Sequence, residues 1–227
     1  MEHWHGKKKA VTFSYDDGVI SDKRFLQILN RYGLKCTFNL NSGLLGTDHS
    51  WVYRDFEVKR LPKEGLKDLY QGHEIAVHGV QHLHLTELSQ SELEEEIGRD
   101  KVELERIFQI PIKGMAYSFG EYDNKVLDVL KSHGIQYART VRSTHDFRLQ
   151  SNLLEFHPTC HHTDDDVFTL IDKFLHMDNE EPLLFYIWGH AYEFDGDQNW
   201  ERLEEICKRI SGNPGVFYGT NEETLLG

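Results

Sequence analysis

An acidic pair that directly follows a buried strand is the feature of this sequence best placed to carry chemistry. The apolar run over residues 10–13 leads into Ser-Tyr-Asp-Asp-Gly, so Asp16 and Asp17 lie where a strand ends and a turn begins. Successive side chains of a strand point to opposite faces, so we do not expect both carboxylates to be buried in the core for structural reasons alone. Gly18 lets the backbone turn, and both carboxylates can then face one pocket.

Two histidines follow a second apolar segment further along the chain. The segment Glu-Ile-Ala-Val ends in His78, and His82 follows at a spacing of four residues. The chain has 14 histidines, so about one such pair is expected by chance, and a second pair, His157 with His161, does occur. The first pair differs because His78 closes a strand at the same end of the sheet as Asp17. We therefore predict a divalent-metal site, with open coordination positions, formed by Asp17, His78 and His82.

Asp16 and His190 would complete the groups that a metal-assisted hydrolysis needs. A bound ion lowers the pKa of water and polarises the bond that the water attacks. Asp16 is adjacent to the candidate ligand Asp17, but its side chain points in a different direction, so it can accept the proton of that water as a general base. The apolar run over 183–188 ends in Gly189 and His190, which supplies an acid for the leaving group. The alternatives are that Asp16 caps the helix near Ser21 and that His190 is structural.

The composition is that of a globular protein with one sizeable core. Of the 227 residues, 39% are hydrophobic and 28% are charged, and no apolar run approaches the roughly 20 residues of a membrane helix. We therefore expect a single domain over residues 1–227. The net charge of −13 disfavours binding to nucleic acid or to an anionic membrane, because both require basic patches. Neutral or cationic substrates suit this charge better.

Cysteine usage and the N-terminal residues bear on the cellular compartment. Three cysteines, Cys36, Cys160 and Cys207, are far apart and odd in number, which predicts reduced thiols rather than a disulfide framework or a cysteine-rich zinc site. The chain enters its first strand without the apolar stretch of a secretion signal. We therefore expect a cytoplasmic protein. A signal removed before residue 1 is the alternative, and the initial Met argues against it.

Short β-rich runs alternate with amphipathic segments along the chain, and most of these segments end at a glycine. Strands are predicted at 11–15, 35–41, 74–77, 112–117, 135–141, 183–188 and 216–218, with an irregular stretch around Trp51 and a short run at 153–156. Helices are predicted at 22–32, 62–70, 124–132, 165–175 and 200–210, with a longer one opened by a capping box at Ser89 and Glu92.

Seven or eight βα units of this kind form an α/β barrel. Barrel enzymes carry their chemistry at the carboxyl ends of the strands. Five of the candidate residues lie at or near such ends: Asp17, His78, Phe119, Arg139 and His190.

These segments, in this order and from about residue 10 to 220, resemble the NodB-homology polysaccharide deacetylases, carbohydrate esterase family four. Residues 14–18 resemble the family motif Thr-Phe-Asp-Asp-Gly, whose first Asp is the base and whose second Asp binds the metal. Residues 78–82 resemble its metal motif His-[Ser/Thr]-x-x-His, and His190 lies where the family has its acid. The resemblance implies a distorted (β/α) barrel that removes acetyl groups from N-acetylated sugars. The implied cofactor is a divalent ion, Zn²⁺ first and Co²⁺ or Ni²⁺ as alternatives.

The chain departs from the family pattern at three motifs. Gly79 stands where the family has Ser or Thr, so the hydrogen bond that this side chain would make must come from elsewhere. Residues 116–120 lack the motif Arg that pairs with the base, and we expect Arg139 to pair with Asp16 instead; the alternative is a surface arginine. The backbone N–H of Phe119 could still donate to an oxyanion, because that role needs no particular side chain. The fourth motif, an Asp followed by Trp, has no clear counterpart.

Several aromatic and imidazole side chains are candidates for substrate binding. Rings near strand ends can stack on sugar faces, although such residues are often part of the core. The candidates are Tyr117, Trp188, Tyr192 and Trp4. In addition, His161 or His162 could supplement the metal site or contact substrate, against the alternative of solvated loop residues.

Four functions remain in competition on the sequence alone. The first is a metal-dependent deacetylase of a small N-acetylated oligosaccharide, and the second is a hydrolase of another linear or cyclic amide. A non-haem Fe(II) oxygenase uses a similar ligand set, but those enzymes are usually double-sheet barrels rather than alternating strands and helices. A non-catalytic sugar-binding protein is conceivable because the motif Arg is missing. The sequence does not predict the oligomeric state.

Overall fold

The computed structural model describes residues 3–178 and 180–227, and its centre is a parallel sheet. In the described part of the chain, the strands are β1 (Lys9–Asp16), β2 (Cys36–Leu40), β3 (Ser50–Tyr53), β4 (Phe56–Lys59), β5 (Glu74–Val77), β6 (Gly114–Ala116), β7 (Tyr137–Arg139), β8 (Cys160–His161), β9 (Leu183–Gly189) and β10 (Val216–Tyr218). Strands β3 and β4 form a separate antiparallel hairpin, and the other eight form the sheet.

The sheet has the order β7-β6-β5-β2-β1-β9-β8, and β10 pairs with the first half of β1. All of these pairs are parallel. The chain segment between β7 and β8 links the two edges, because the Phe156 N–H donates to the Ala138 carbonyl at 3.0 Å while Cys160 pairs with Ile187. The sheet therefore curls into a distorted, incompletely bonded barrel, and the predicted α/β barrel is confirmed.

Helices surround this sheet and bury their apolar faces against it. They are α1 (Asp22–Arg31), α2 (Leu66–Leu69), α3 (Gln90–Leu93), α4 (Asp100–Phe108), α5 (Asn124–Ser132), α6 (Val167–His176), α7 (Ala191–Gly196), α8 (Trp200–Ile210) and α9 (Asn221–Leu225). In α8, for example, Leu203, Ile206 and Ile210 recur at helical spacing and are all buried. The central strand β9 is apolar and buried along its whole length, as expected of a parallel strand covered on both faces.

Three local features differ from the sequence-based expectations. The irregular stretch around Trp51 is the β3–β4 hairpin, whose alternating, half-exposed side chains give only a weak apolar pattern. The helix that opens at the predicted capping box, Ser89 with Glu92, is interrupted by a π-helical turn over Glu94–Arg99, which apolar periodicity does not reveal. The short run at 153–156 contains a 3₁₀ turn, Leu153–Glu155, and only Phe156 bridges to β7.

Trp4 lies at the opposite end of the barrel from Asp17, so the expectation that it stacks on substrate is wrong. It is buried in a small cluster with Ala10, Phe156 and Leu184, and its indole N–H donates to the Thr224 carbonyl at 3.0 Å. The reason is topological: a residue just before β1 must lie at the amino end of the strand, whereas the acidic pair lies at its carboxyl end.

Among the described residues, no helix is both long enough and apolar enough to span a membrane. The cysteines Cys36, Cys160 and Cys207 are all buried and unpaired.

Candidate metal centre and active site

Asp17, His78 and His82 converge at the carboxyl end of the sheet. Asp17 directly follows β1, His78 directly follows β5, and His82 lies in the next turn. One ligand atom from each lies within 4.8 Å of the others, and the His82 Nε2 is 3.9 Å from the Asp17 Oδ1. Asp17 has a φ of 86° and His82 a φ of 57°, so two of the three candidate ligands occupy the left-handed region. Such conformations cost free energy and occur at functional sites.

The hydrogen bonds and the burial of these groups fit a divalent ion. A carbonyl can only accept, so the His78 Nδ1–H donates to the Ala116 carbonyl at 2.8 Å, and Nε2 is the ring nitrogen left to bind an ion. That Nε2 is buried and has no hydrogen-bond partner among the described residues. Burial, followed by the neighbouring His78, lowers the pKa of His82 to about 4, so this imidazole is neutral at pH 7. Two imidazoles and a carboxylate are a donor set that suits zinc or a similar ion.

Asp16 faces the same cavity but is held by different partners. Its Oδ1 accepts from the Asn39 amide at 2.7 Å, and its Oδ2 accepts from Arg139 at 2.5 Å. Burial by itself would raise the pKa of Asp16, but Arg139 and the imidazoles of His78 and His190 lower it to about 2. The carboxylate is therefore ionised at neutral pH, as a general base requires.

Arg139 lies where the sequence analysis expected a cation for Asp16. Its side chain is 1% exposed, and its guanidinium lies 4.5 Å from the Trp188 ring centroid. The Nε donates to the Ser14 hydroxyl at 3.2 Å, and the Nη1 donates to the Thr140 carbonyl at the same distance. The surface-arginine alternative is excluded by this burial.

His190 and Glu193 form the second charged pair of the site. The His190 Nε2 lies 3.9 Å from the Asp16 Oδ2, and its Nδ1 lies 3.3 Å from the Glu193 Oε2. That Oε2 also accepts from the His190 backbone N–H at 3.1 Å. Burial lowers the pKa of His190, but the Glu193 carboxylate, Asp17 and Asp16 together raise it to about 9. The imidazole therefore carries a proton at neutral pH, which suits a general acid.

The structure adds two charged residues, Glu193 and Arg60, to the site residues predicted from the sequence. Glu193 is the third residue of α7 after His190, a spacing at which a carboxylate reaches back to the start of its helix. Arg60 follows β4, and its Nη1 donates to the Asp17 Oδ1 at 3.2 Å and to the Asn41 amide oxygen at 3.0 Å. The hairpin thus places a second cation beside the acidic pair, and no spacing in the sequence indicated that contact.

His161 and His162 lie behind Glu193 and not on the cavity wall. The His161 Nδ1 accepts from the Thr163 N–H at 3.2 Å, so its Nε2 carries the hydrogen and faces Glu193 at 3.2 Å. This tautomer has no lone pair on Nε2 for a metal ion. His162 is 1% exposed and its Nδ1 is 3.0 Å from the Tyr15 hydroxyl. His161 forms, with His190 and Glu193, a second group of possible ligand atoms that lie within 4.8 Å of one another, whereas His162 is packed in the core. A contact of either residue with substrate or metal stays a prediction.

The candidate ligands, base and acid line one cavity of about 640 Å³. The predicted rings Tyr117, Phe119, Trp188 and Tyr192 line it too, and the hairpin adds Trp51, which meets Tyr192 edge to face at 5.3 Å. Phe119 has a φ of 56°, is 49% exposed and stacks on His84 at 3.9 Å. The cavity therefore combines charged groups at its base with an aromatic rim.

Comparison with known sequences places the chain in a family. The family model described as polysaccharide deacetylase matches residues 4–138, which is more than half of the chain. A protein of Bacillus subtilis (strain 168) that bears the name "Putative polysaccharide deacetylase YxkH" is 24% identical over 135 residues. That match covers 59% of this chain and 45% of the relative, so the chain spans about half the length of the curated relative that it matches.

Solved structures share the fold. A family 4 carbohydrate esterase from Streptomyces lividans, in complex with acetate, superposes with a TM-score of 0.61 at 16% identity and covers 94% of this chain and 93% of its own. A CE4-family pseudoenzyme from Bacillus anthracis superposes with a TM-score of 0.58 at 16% identity, covering 96% and 66%. At these identities the structures establish the distorted barrel alone. Together with the matched family model, they establish that this chain belongs to the polysaccharide deacetylase family.

Proposed function

We propose that this protein is a metal-dependent hydrolase that removes acetyl groups from an N-acetylated sugar or a small oligosaccharide. The observation that carries the proposal is that five residues line one cavity: Asp16, whose carboxylate is ionised, His190, whose imidazole is protonated, and the candidate ligands Asp17, His78 and His82. Membership of the polysaccharide deacetylase family supports the same reaction class.

Each residue has a defined task in the proposed hydrolysis of the amide. A divalent ion, Zn²⁺ in the first instance, would supply Lewis acidity to the carbonyl oxygen and to a water molecule when held by the three ligands. Asp16 accepts a proton from the attacking water, and Arg139 keeps that carboxylate ionised until then. The Phe119 N–H donates to the oxyanion that forms as the C–O bond is made. His190 donates its proton to the amine nitrogen as the C–N bond breaks.

The cavity favours a saccharide over a bare acyl group. Aromatic faces such as Trp51, Trp188 and Tyr192 offer apolar area against which the C–H faces of a sugar ring can pack. The volume of about 640 Å³ accommodates a small substrate. The alternative amide substrates, linear or cyclic, use the same chemistry. Non-catalytic binding is disfavoured because Asp16 and His190 are both present and oppositely charged.

The proposal is tested by acetate release. Protein loaded with Zn²⁺, Co²⁺ or Ni²⁺ is assayed on a panel of N-acetyl and O-acetyl saccharides, and a chelator should abolish turnover. Asp16→Asn should keep its metal and lose on the order of a hundredfold in kcat, because it removes the proton acceptor and little volume. Asp17→Ala and His82→Ala should instead lose metal.

Three results would contradict the proposal. Wild-type metal content in both ligand variants would show that the ligand assignment is wrong. Unchanged turnover in Asp16→Asn would refute its role as the base. A metal-loaded protein that releases no acetate from any substrate would shift the assignment to another amide or to sugar binding.

A further inference from the structure

The turn that carries His82 is held by a single buried carboxylate from a neighbouring helix. The backbone N–H groups of Gln81 and Leu83, on either side of His82, both donate to the Glu96 Oε1, at 2.9 Å and 3.2 Å. Glu96 is only 3% exposed, so these hydrogen bonds are shielded from water.

The absence of a side chain at residue 79 makes room for this carboxylate. A Cβ placed on Gly79 would lie 2.5 Å from the Glu96 Oε1 and 3.3 Å from its carboxyl carbon. Gly79 also has a φ of 87°, which L side chains rarely adopt. A hydrogen bond that residue 79 cannot make without a side chain was expected to come from elsewhere, and Glu96 supplies hydrogen bonds to this turn from another element.

The π-helical turn Glu94–Arg99 brings Glu96 to the metal-binding turn. In a regular α-helix the Glu96 carbonyl would accept from the Asp100 N–H, but here that N–H donates to Ile97. The Glu96 carbonyl accepts from the Val80 N–H at 3.0 Å instead. Three backbone N–H groups of one short turn thus end on a single residue. Isolated π turns are frequent at functional sites, and this one brings Glu96 within hydrogen-bonding distance of the turn that carries His82.

Asp100, four residues further on, anchors the other candidate histidine. It is fully buried, and its Oδ2 accepts from the His78 backbone N–H at 3.0 Å, while its Oδ1 accepts from the Ser42 N–H at 2.7 Å. The same helix therefore fixes the backbone at both ends of the segment that contains the two imidazoles.

We propose that Glu96 is a positioning residue of the metal centre. Its two hydrogen bonds hold His82 in the left-handed conformation that directs the imidazole towards Asp17 and His78. A φ of 57° at a non-glycine residue costs free energy, and the flanking bonds offset that cost. The proposal rests on the proposed metal site, and it assigns the effect to the reach of the carboxylate and not to its charge.

Reach and charge are separated by three substitutions. Glu96→Gln keeps an oxygen at the same distance without the charge, Glu96→Asp keeps the charge but withdraws the oxygens by one methylene, and Glu96→Ala removes both. Glu95→Ala is the matched control, because Glu95 belongs to the same π turn but is exposed and paired with Arg99. Each full-length protein is titrated with Co²⁺, and its dissociation constant and visible absorption spectrum are compared with those of the wild type.

Glu96→Ala and Glu96→Asp should weaken Co²⁺ binding by about tenfold to a hundredfold and alter the spectrum, because the His82 imidazole is no longer fixed. Glu96→Gln should lose less than about tenfold and keep the wild-type spectrum, and Glu95→Ala should change neither. If Glu96→Ala does not fold, the comparison of Co²⁺ affinity between Glu96→Gln and Glu96→Asp still tests the positioning role.

Two outcomes overturn the positioning role. One is a wild-type Co²⁺ affinity and spectrum in folded Glu96→Ala or Glu96→Asp. The other is a wild-type affinity in Glu96→Asp together with an affinity in Glu96→Gln as low as that of Glu96→Ala, which would assign the effect to charge. A wild-type protein that takes up no divalent ion refutes the metal site, and the positioning role with it. A wild type that binds Co²⁺ but releases no acetate refutes the proposed reaction alone.

Discussion

The adjacent residues Asp16 and Asp17 illustrate how neighbours in sequence acquire different chemistry. Each is almost fully buried and each meets its own arginine, Arg139 for Asp16 and Arg60 for Asp17. Arg139 comes from a barrel strand, whereas Arg60 follows the β3–β4 hairpin. The arginines compensate the two buried charges separately. Asp16 lies beside His78 and His190, as the proposed base, and Asp17 lies beside His82, as a proposed metal ligand.

Loss of the cation from the buried pair of Asp16 and Arg139 should destabilise the fold strongly. We expect Arg139→Met to lower the free energy of unfolding by about 3–5 kcal/mol, because it leaves a buried carboxylate without its cation. In the Asp16→Asn background the same substitution should cost roughly half as much or less, since no charge remains to be compensated. Urea denaturation in the presence of a chelator measures the cycle. An equal cost in both backgrounds would show that Arg139 acts through packing alone.

Glu193 should set the basic limb of the pH profile. The reaction needs His190 protonated, so activity falls as the pH rises through the pKa of this imidazole, which Glu193, Asp17 and Asp16 raise against the effect of burial to about 9. Glu193→Gln removes the nearest negative charge and should move the basic limb of kcat/KM to lower pH by at least about one unit. Glu201→Gln, an exposed residue of α8, is the control. A basic limb at the same pH in both variants would contradict the role of His190 as the acid.

At the scale of elements, two insertions complete the site. The β3–β4 hairpin delivers Arg60 and Trp51 to the cavity, and the π turn between α3 and α4 delivers Glu96 to the His82 turn. Both act on residues that regular βα units already place at the strand ends. The proposed catalytic groups come from the regular part of the barrel, and these irregular elements contact them.

The first helix carries a buried acid whose charge opposes folding. Asp22, at the start of α1, accepts from the Tyr70 hydroxyl at 2.6 Å, while its Oδ1 has no partner among the described residues. Burial, reinforced by the charge of Asp17, raises the pKa of Asp22 to about 8. This value lies above that of an unfolded chain, near 4, so the stability from this group is complete below about pH 4 and is lost as the pH rises towards 8.

Asp22→Asn should therefore be more stable than the wild type at neutral pH. The difference in free energy of unfolding should grow by up to about 1.4 kcal/mol per pH unit between pH 5 and pH 8, because the variant no longer releases a proton on unfolding. Urea denaturation at several pH values measures it, with Asp68→Asn on the exposed face of α2 as the control. A difference that is constant with pH would mean that Asp22 is ionised in the folded protein.

At the scale of the whole molecule, the candidate site and the packing that closes the barrel lie at opposite ends of the strands. The carboxyl ends of the strands carry the charged cavity, whereas the amino ends are closed by Trp4 and by the C-terminal helix α9, to which its indole N–H donates. Parallel strands make this separation, because every strand ends on the same side. The position of a residue relative to its strand therefore predicts which end of the barrel it occupies.

The sequence by itself determined the alternation of strands and helices, and with it the barrel and the strand-end positions of Asp16, His78, Arg139 and His190. These follow from local periodicity, which the side chains of each segment carry on their own. The prediction that Trp4 stacks on substrate was wrong because it was inferred from the residue type alone, without the position of Trp4 relative to β1.

Apart from the predicted pair of Asp16 with Arg139, only the tertiary structure decided which charges meet. The contacts of Arg60 with Asp17, of Glu193 with His190 and of Glu96 with the turn around His82 join different elements or depend on the local path of the backbone. Such contacts leave no period in the sequence, because their geometry is set by the curl of the sheet, the hairpin and the π turn. The candidate residues, and the pairing of Arg139 with Asp16, could therefore be predicted from residue type and spacing, whereas the other electrostatic partners required the folded chain.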